Sequence, residues 1–256
     1  MTHVIDINAD LGEGFGPWEM GDDAALLQTV TSANIACGFH AGDPDVMART
    51  MDQALRHNVA LGAHPGFADL KGFGRRQMTL SAPELTNLIQ YQLGAAIGMA
   101  RARGARLRHF KLHGALSNMA MVSQDLSRVC FAAALALQPD IRLLILPRTA
   151  MEAAAVSMNA TWSGEIFADR GYRDDGTLID RRDPNAVLHD PIAAADRIKT
   201  MIRKGAIISA SGKEIPARIE TICVHGDTAS AVDMARHLRK SLTDSGITVQ
   251  APPPSA

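Results

Sequence analysis

The sequence predicts an α/β domain built on a parallel sheet, and three observations carry that prediction. Short apolar runs of strand length alternate with longer patterns of helical period along the chain. Helix-start signals stand just ahead of several of those patterns. No stretch rich in glycine, serine or proline divides the 256 residues, which fit one domain. Strict alternation of this kind makes either a closed barrel or a doubly wound sheet covered by helices.

Taken in order, the predicted strands are "HVIDIN" (3–8), "SANIAC" (32–37), "VALGA" (59–63), "LRHFKLH" (107–113), "IRLLILP" (141–147), "SGEIFA" (163–168) and "TICVHG" (221–226). Helices are predicted near 22–30, 44–57, 82–104, 123–138, 149–158, 191–204 and 229–245. "SAPE" (Ser81 to Glu84) is a capping box, and Asp43-Pro44 and Asp190-Pro191 each read as an N-cap followed by proline in the first turn. "IISASGKEIPARI" (Ile207 to Ile219) reads as a hairpin inserted before the last strand. The domain is expected to span 1–250, with the tail 251–256, "APPPSA", disordered.

Composition narrows the classes. Hydrophobic residues make up 46% and aromatics only 4%, so aliphatic side chains must fill the core. A net charge of −1 argues for neither nucleic acid nor an anionic membrane as partner. Cys37, Cys130 and Cys223 are far apart and read as inert buried thiols in a reducing compartment. The N-terminus has no signal-peptide pattern and no run reaches membrane-spanning length, so the expected location is the cytoplasm.

The polar residues fall where a parallel fold would use them. The first strand leads into "NADLGEG" with Asn8, Asp10 and Glu13; the second ends at His40 and Asp43; the third at His64. The fourth releases Lys111, His113 and Asn118, the sixth Asp169 and Arg170, and the last His225 and Asp227. Carboxyl ends of parallel strands are where active-site loops converge. Taken singly, each histidine is as well explained as a hydrogen-bonded core residue, and Asp43 as a helix cap. Four histidines at equivalent strand ends are not. His57, His109, His189 and His237 receive no role.

No G-x-S-x-G elbow and no dinucleotide or P-loop fingerprint is present. Asp10 with His40 and His64 could hold a divalent metal, although ligands on separate strands have no diagnostic spacing. Metal-free acid–base work suits the same groups. "GFGRR" (Gly72 to Arg76) reads equally as an anion loop using Arg75 and Arg76 or as an exposed turn.

The motifs "DINADLGEGFG", "TSANIACGFHAGDP", "GAHPGFADLKGFGRR", "KLHGALSNMA", "FADRGY" and "TICVHGDT" resemble the LamB/YcsF family, which supplies the A subunit of bacterial 5-oxoprolinase. The resemblance covers about residues 4–247. It implies a single-domain, distorted seven-stranded (β/α) barrel like those of glycoside hydrolases and polysaccharide deacetylases. It further implies ATP-dependent hydrolytic opening of 5-oxo-L-proline to L-glutamate, with ATP and magnesium as co-substrate and subunits B and C as partners. Whether the chain also forms a homo-oligomer is left open. On that chemistry Asp10 or Glu13 would activate water, while Lys111 and His113 steady developing charge beside His40 and His64. Asn8, Asp43, Arg75, Arg76, Asn118, Asp169, Arg170, His225 and Asp227 would contact substrate. Leu112 and Ser117 depart from the family's proline and tyrosine, which would alter the pocket. Two other readings stand beside this one: a metal-dependent amide hydrolase, and a non-catalytic substrate-binding subunit.

Overall fold

The structure, a computed structural model, describes residues 4–184, 186–225 and 231–253. In chain order its elements are β1 (Val4–Leu11), α1 (Asp23–Leu27), β2 (Ser32–Ala36), α2 (Pro44–Arg56), β3 (Ala60–His64), α3 (Ala82–Arg101), β4 (His109–Phe110), α4 (Gly114–Val122) and α5 (Gln124–Leu137). There follow β5 (Arg142–Ile145), α6 (Ala150–Ser157), β6 (Trp162–Phe167), α7 (Pro191–Lys204), β7 (Ala206–Ile208), β8 (Glu214–Pro216), β9 (Thr221–Val224), α8 (Ala231–Asp244) and β10 (Thr248–Val249). Strands β1 to β6 lie side by side in sequence order, β9 follows β6, and β9 pairs in parallel with β1. The sheet therefore closes into a parallel seven-stranded barrel, which decides between the two architectures the alternation allowed.

Strand β1 shows how the sequence builds two different surfaces. In "VIDINADL" the residues Ile5, Ile7, Ala9 and Leu11 join the apolar layer between sheet and helices. The alternate residues Asp6, Asn8 and Asp10 are buried too, but bond to groups on neighbouring strands. A period of two in a strand places these sets on opposite faces. The barrel interior is thus polar, and the conventional core lies outside it.

The predicted helix starts appear as real caps. Ser81 and Glu84 form the reciprocal capping box of α3, and Asp190 accepts from Ile192 N at the start of α7. Strands β7 and β8 form the antiparallel hairpin.

Two expectations, the extent of the fourth strand and the tail, need correction, and two elements come in addition. Residues 114–122 form a helix rather than a loop, because Gly114 takes φ +55° and "GALSNMAMV" then buries Ala115, Leu116, Ala120 and Met121. Ser123 caps α5 through Leu126 N and separates the two helices. The fourth strand is only His109–Phe110. A further parallel strand, β10, lies beside β1. The first residues of the tail are held, since the Pro252 carbonyl accepts from Arg108 Nη2 at 2.7 Å and that of Pro253 from Arg142 Nη2 at 3.5 Å. No helix among the described residues is long and apolar enough to cross a membrane.

Closure leaves little room beside β6. A Cβ on Gly164 would lie 1.8 Å from the Arg218 carbonyl oxygen, which is backbone and cannot swing aside. Gly164→Ala is expected to cost about 2–3 kcal/mol and to lower Tm by roughly 5–10 °C, read by thermal denaturation. An unchanged Tm would show that the barrel is looser here.

Candidate active site

The barrel interior holds one buried cation among acids. Lys111, carried just beyond β4, places Nζ 3.0 Å from Asp10 Oδ1, 3.0 Å from Glu165 Oε1 and 3.0 Å from Cys223 Sγ. An ammonium has three N–H groups, which Asp10, Cys223 and, at 3.4 Å, Asn8 Oδ1 accept, while Glu165 is held by charge alone. Burial alone would lower the lysine pKa, but Asp10, Cys223 and Glu165 outweigh it and hold Lys111 well above its ordinary value. Burial likewise works to raise Asp10, while His64 and Lys111 prevail and hold its carboxyl well below the usual range. Lys111 therefore does not reach toward a substrate oxygen, as expected, but neutralises two buried carboxylates.

Glu165 had no predicted role. It sits in the middle of "SGEIF", fully buried, and only barrel closure reveals that it faces Lys111. Cys223 touches Lys111, yet burial pushes its thiol well above the ordinary value, as burial pushes Cys37 and Cys130 up to about 12, so all three remain the inert buried thiols expected.

Above this cation three histidines meet. His64 Nδ1 lies 2.9 Å from the Lys111 carbonyl, and His113 Nε2 lies 2.8 Å from the Phe73 carbonyl. A carbonyl only accepts, so each of these nitrogens carries the proton. The remaining nitrogens, His64 Nε2 and His113 Nδ1, face each other at 3.1 Å. In neutral rings both would present lone pairs, which repel unless a proton or a cation lies between them. Asp10 Oδ2 stands 3.4 Å from His64 Nε2, and Glu13 Oε1 stands 3.8 Å from His113 Nδ1.

His40 stacks on His113 with ring centroids 3.6 Å apart, and its Nε2 is 3.6 Å from Glu13 Oε1. Among the described residues neither His40 nitrogen makes a hydrogen bond, although the ring is fully buried. Burial first, then His113 and His64, push His40 well below its ordinary value. Gly74 is required behind it: at φ +63° a Cβ there would approach His40 Cβ to 2.7 Å.

The fit to a metal differs from expectation. Ligand atoms of Asp10, Glu13, His64 and His113 lie within 4.8 Å of one another, a group able to hold a cation. His40 is not in that group, because it stacks behind His113 rather than beside Asp10. A second constellation stands next to it. His225 Nδ1 lies 2.8 Å and 2.9 Å from the two Asp169 oxygens, and its ring stacks on Phe167 at 5.2 Å. Asp10, Cys223 and His225 also lie within 4.8 Å of one another, so both histidine sets border one space. Burial tends to raise the Asp169 pKa, but His225 lowers it on balance.

The other expected substrate contacts separate. Asn8 is inside the barrel, donating to Thr221 Oγ1 at 2.7 Å. Asp43 caps α2 through Asp45 N and Val46 N, and its second oxygen accepts from Gly16 N at 2.7 Å. It thus ties the loop after β1 to the helix after β2, and both its oxygens are occupied. Arg76 is two-thirds exposed and paired with Asp69, so "RR" splits: Arg76 staples its own turn, while Arg75 covers the Phe73 ring at 4.9 Å. Asn118 is exposed on α4, away from the strand end. Arg170 is buried and donates to the Ile179 carbonyl at 2.6 Å; burial, then Arg181, push it down to about 10. Asp227 lies outside the described residues. Leu112 is buried and Ser117 half-buried on α4.

Fold and site together define a (β/α)-barrel protein with a carboxylate–histidine centre at its carboxyl end. The chain belongs to the LamB/YcsF family, whose model matches residues 5–256. It is 57% identical over 251 residues to the A subunit of 5-oxoprolinase from Ruegeria pomeroyi, covering 98% of this chain and 99% of that one. It is similar to the crystal structure of a "Lactam Utilization Protein" from Thermus thermophilus, with TM-score 0.91, 38% identity and coverage of 97% and 99%. A family 4 carbohydrate esterase from Streptomyces lividans, at 10% identity and TM-score 0.50 over 96% of this chain and 91% of that one, shares the fold alone.

Two outcomes follow for stability. Lys111→Met leaves Asp10 and Glu165 buried without their cation and is expected to cost about 3–5 kcal/mol in urea denaturation, part of it recovered by adding Glu165→Gln. A loss below about 1 kcal/mol would show the carboxylates to be neutralised otherwise. Burial first, and Lys111 second, push His109 down to about 3. Since the unfolded imidazole titrates near 6.5, the unfolded chain binds more protons below that pH, and stability falls as pH drops toward 3. From pH 7.5 to 5.5 this single group should remove about 1.4 kcal/mol, a loss absent in His109→Gln.

Proposed function

We propose that this chain is the A subunit of a 5-oxoprolinase and carries the hydrolytic step that opens the 5-oxo-L-proline ring to L-glutamate. The observation that carries the reading is the pair of imidazole nitrogens facing each other at 3.1 Å between Asp10 and Glu13. A proton taken up between the two nitrogens relieves their lone-pair repulsion and faces the Asp10 and Glu13 carboxylates, while burial first, then His64, push His113 down to about 3 and keep that proton easily released. The names of the similar proteins supply the substrate class.

Water held at this pair gives up its proton to it, and its oxygen attacks the lactam carbonyl carbon. The C–N bond then breaks as the imidazole pair passes the proton taken from water to the ring nitrogen, leaving amine and carboxyl group; His225, its Nδ1–H held by Asp169, lines the same space. Asp10 is a poor base itself, since His64 and Lys111 keep it ionised. It acts by charge, favouring the imidazolium at His64. Arg75 and Arg170 supply cationic groups for the substrate carboxylate or a phosphoryl group.

A lactam is a stable amide, and ATP with magnesium as co-substrate would supply the drive by activating the amide oxygen. We assign this chemistry to the complete complex with subunits B and C, working in the cytoplasm. The domain is read as one unit over 1–250, now with its first tail residues attached.

One specific observation favours a second reading. Asp10, Glu13, His64 and His113 would hold a divalent metal where the shared proton otherwise sits. Such an ion would supply Lewis-acid activation of water or of the amide oxygen.

The test is 5-oxoproline-dependent glutamate release by the chain with and without its partner subunits. His64→Ala and His113→Ala are each expected to reduce turnover by about 100-fold or more, with folding intact by circular dichroism. Near-normal turnover for both would remove the site from the reaction. Loss of activity on chelation, restored by one added metal, would select the second reading.

A further inference from the structure

We infer that His109, acting through Asn34, is a positioning residue that fixes the orientation in which the Asp10 carboxylate faces the reacting imidazoles; this rests on the proposed function. Strand register brings the residues together. Asp10 pairs with Asn34, Asn34 with Gly62, and Gly62 with His109, so these four residues form one rung across β1, β2, β3 and β4. Three of them carry side chains into the barrel. The fourth is glycine, and the reason is steric: a Cβ on Gly62 would lie 2.0 Å from His109 Nε2. The His109 ring lies across the space that residue 62 vacates and reaches the strand beyond.

What it reaches is the Asn34 amide. Asn34 Nδ2 donates to Asp10 Oδ1 at 2.8 Å and to Asn8 Oδ1 at 2.7 Å. An ionised carboxylate only accepts, so the amide nitrogen must face Asp10 and the amide oxygen must face away. That oxygen lies 2.8 Å from His109 Nε2, which is therefore the protonated nitrogen of a neutral ring. The whole chain of donors then points one way, from His109 through Asn34 to Asp10.

The consequence falls on Asp10. Its Oδ1 receives Asn34 and Lys111, while Oδ2 is the oxygen near His64 Nε2 at 3.4 Å. Without the His109 donor, the Asn34 amide is held from its nitrogen side alone, by Asp10 and Asn8, and its oxygen is left without the partner that anchors the far side. The carboxylate would then rotate, and the imidazolium at His64 would lose its aligned counter-charge. Misplacement of a charge at this scale costs about 10–100-fold in rate.

The test compares His109→Leu, which deletes the donor, with His109→Gln, which retains an N–H of similar reach. In the complex with its partner subunits, His109→Leu is expected to lower kcat about 10–100-fold with KM little changed, and His109→Gln to restore most of it. Independently of turnover, nitrogen-15 NMR of the wild-type chain should show His109 neutral with its proton on Nε2. The Asp10 carboxyl carbon-13 signal should move in His109→Leu and not in His109→Gln. Unaltered kcat in a folded His109→Leu, an Nδ1–H tautomer, or an unmoved Asp10 signal would each overturn the inference. Should His109→Leu fail to fold, the wild-type tautomer and the His109→Gln spectrum decide. Absence of glutamate release by the wild-type complex would instead count against the proposed function, leaving the NMR readouts to judge the rung.

Discussion

The rest of the site depends on one ammonium buried in the barrel. Lys111 stands between Asp10 and Glu165, 3.0 Å from each, and supplies the positive charge that offsets burying two acids side by side. Asp10, held well below the usual carboxylate range by His64 and Lys111, turns its other oxygen to His64 Nε2 at 3.4 Å. The imidazole pair above therefore faces negative charge that the Lys111 salt bridge holds in place, and it meets that bridge directly through Asp10 Oδ2. A lysine committed in this way has no donor left for substrate. Its contribution is the electrostatic ground on which the histidines work.

Barrel closure makes that arrangement possible. Seven short parallel strands bring β1, β4, β6 and β9 around one axis, so Asp10, Lys111, Glu165 and Cys223 meet, although 112 positions separate Lys111 from Cys223 in sequence. The apolar side chains lie between sheet and helices and supply the burial that drives folding. Much of the polar interior is paired strand by strand, in register, as between Asn8, Asn34, Asp10 and Thr221. Asp6 illustrates the opposite end: it accepts from Thr31, Ser32 and Thr221, and burial still raises its pKa.

Much of this is legible in the residues. Alternation of apolar runs gives each strand a direction, and direction alone places His40, His64, His113 and His225 at one end. Asp43, ambiguous between cap and catalyst, is a cap that also holds Gly16, a long-range bond that no spacing could reveal. Glu165 stays hidden because a single acid inside an apolar strand looks like an edge or surface position until the ring closes. His109 draws no notice for the sound reason that a mid-strand histidine is usually a hydrogen-bonded core residue. It is one, and its partner is the amide that orients Asp10. Helix α4 escapes the sequence pattern because "KLHGALSN" carries a glycine that reads as a loop, when Gly114 in fact turns the chain directly into a helix.

The most direct measurement is a neutron structure of the chain at neutral pH, which locates the protons on His64 and His113. Deuterium is expected on His64 Nδ1 and His113 Nε2, with the two facing nitrogens left unprotonated, or holding a single metal ion, and so able to take the proton of water. Separate deuterium atoms on both facing nitrogens, or a neutral Asp10, would contradict the buried-ammonium origin of the site.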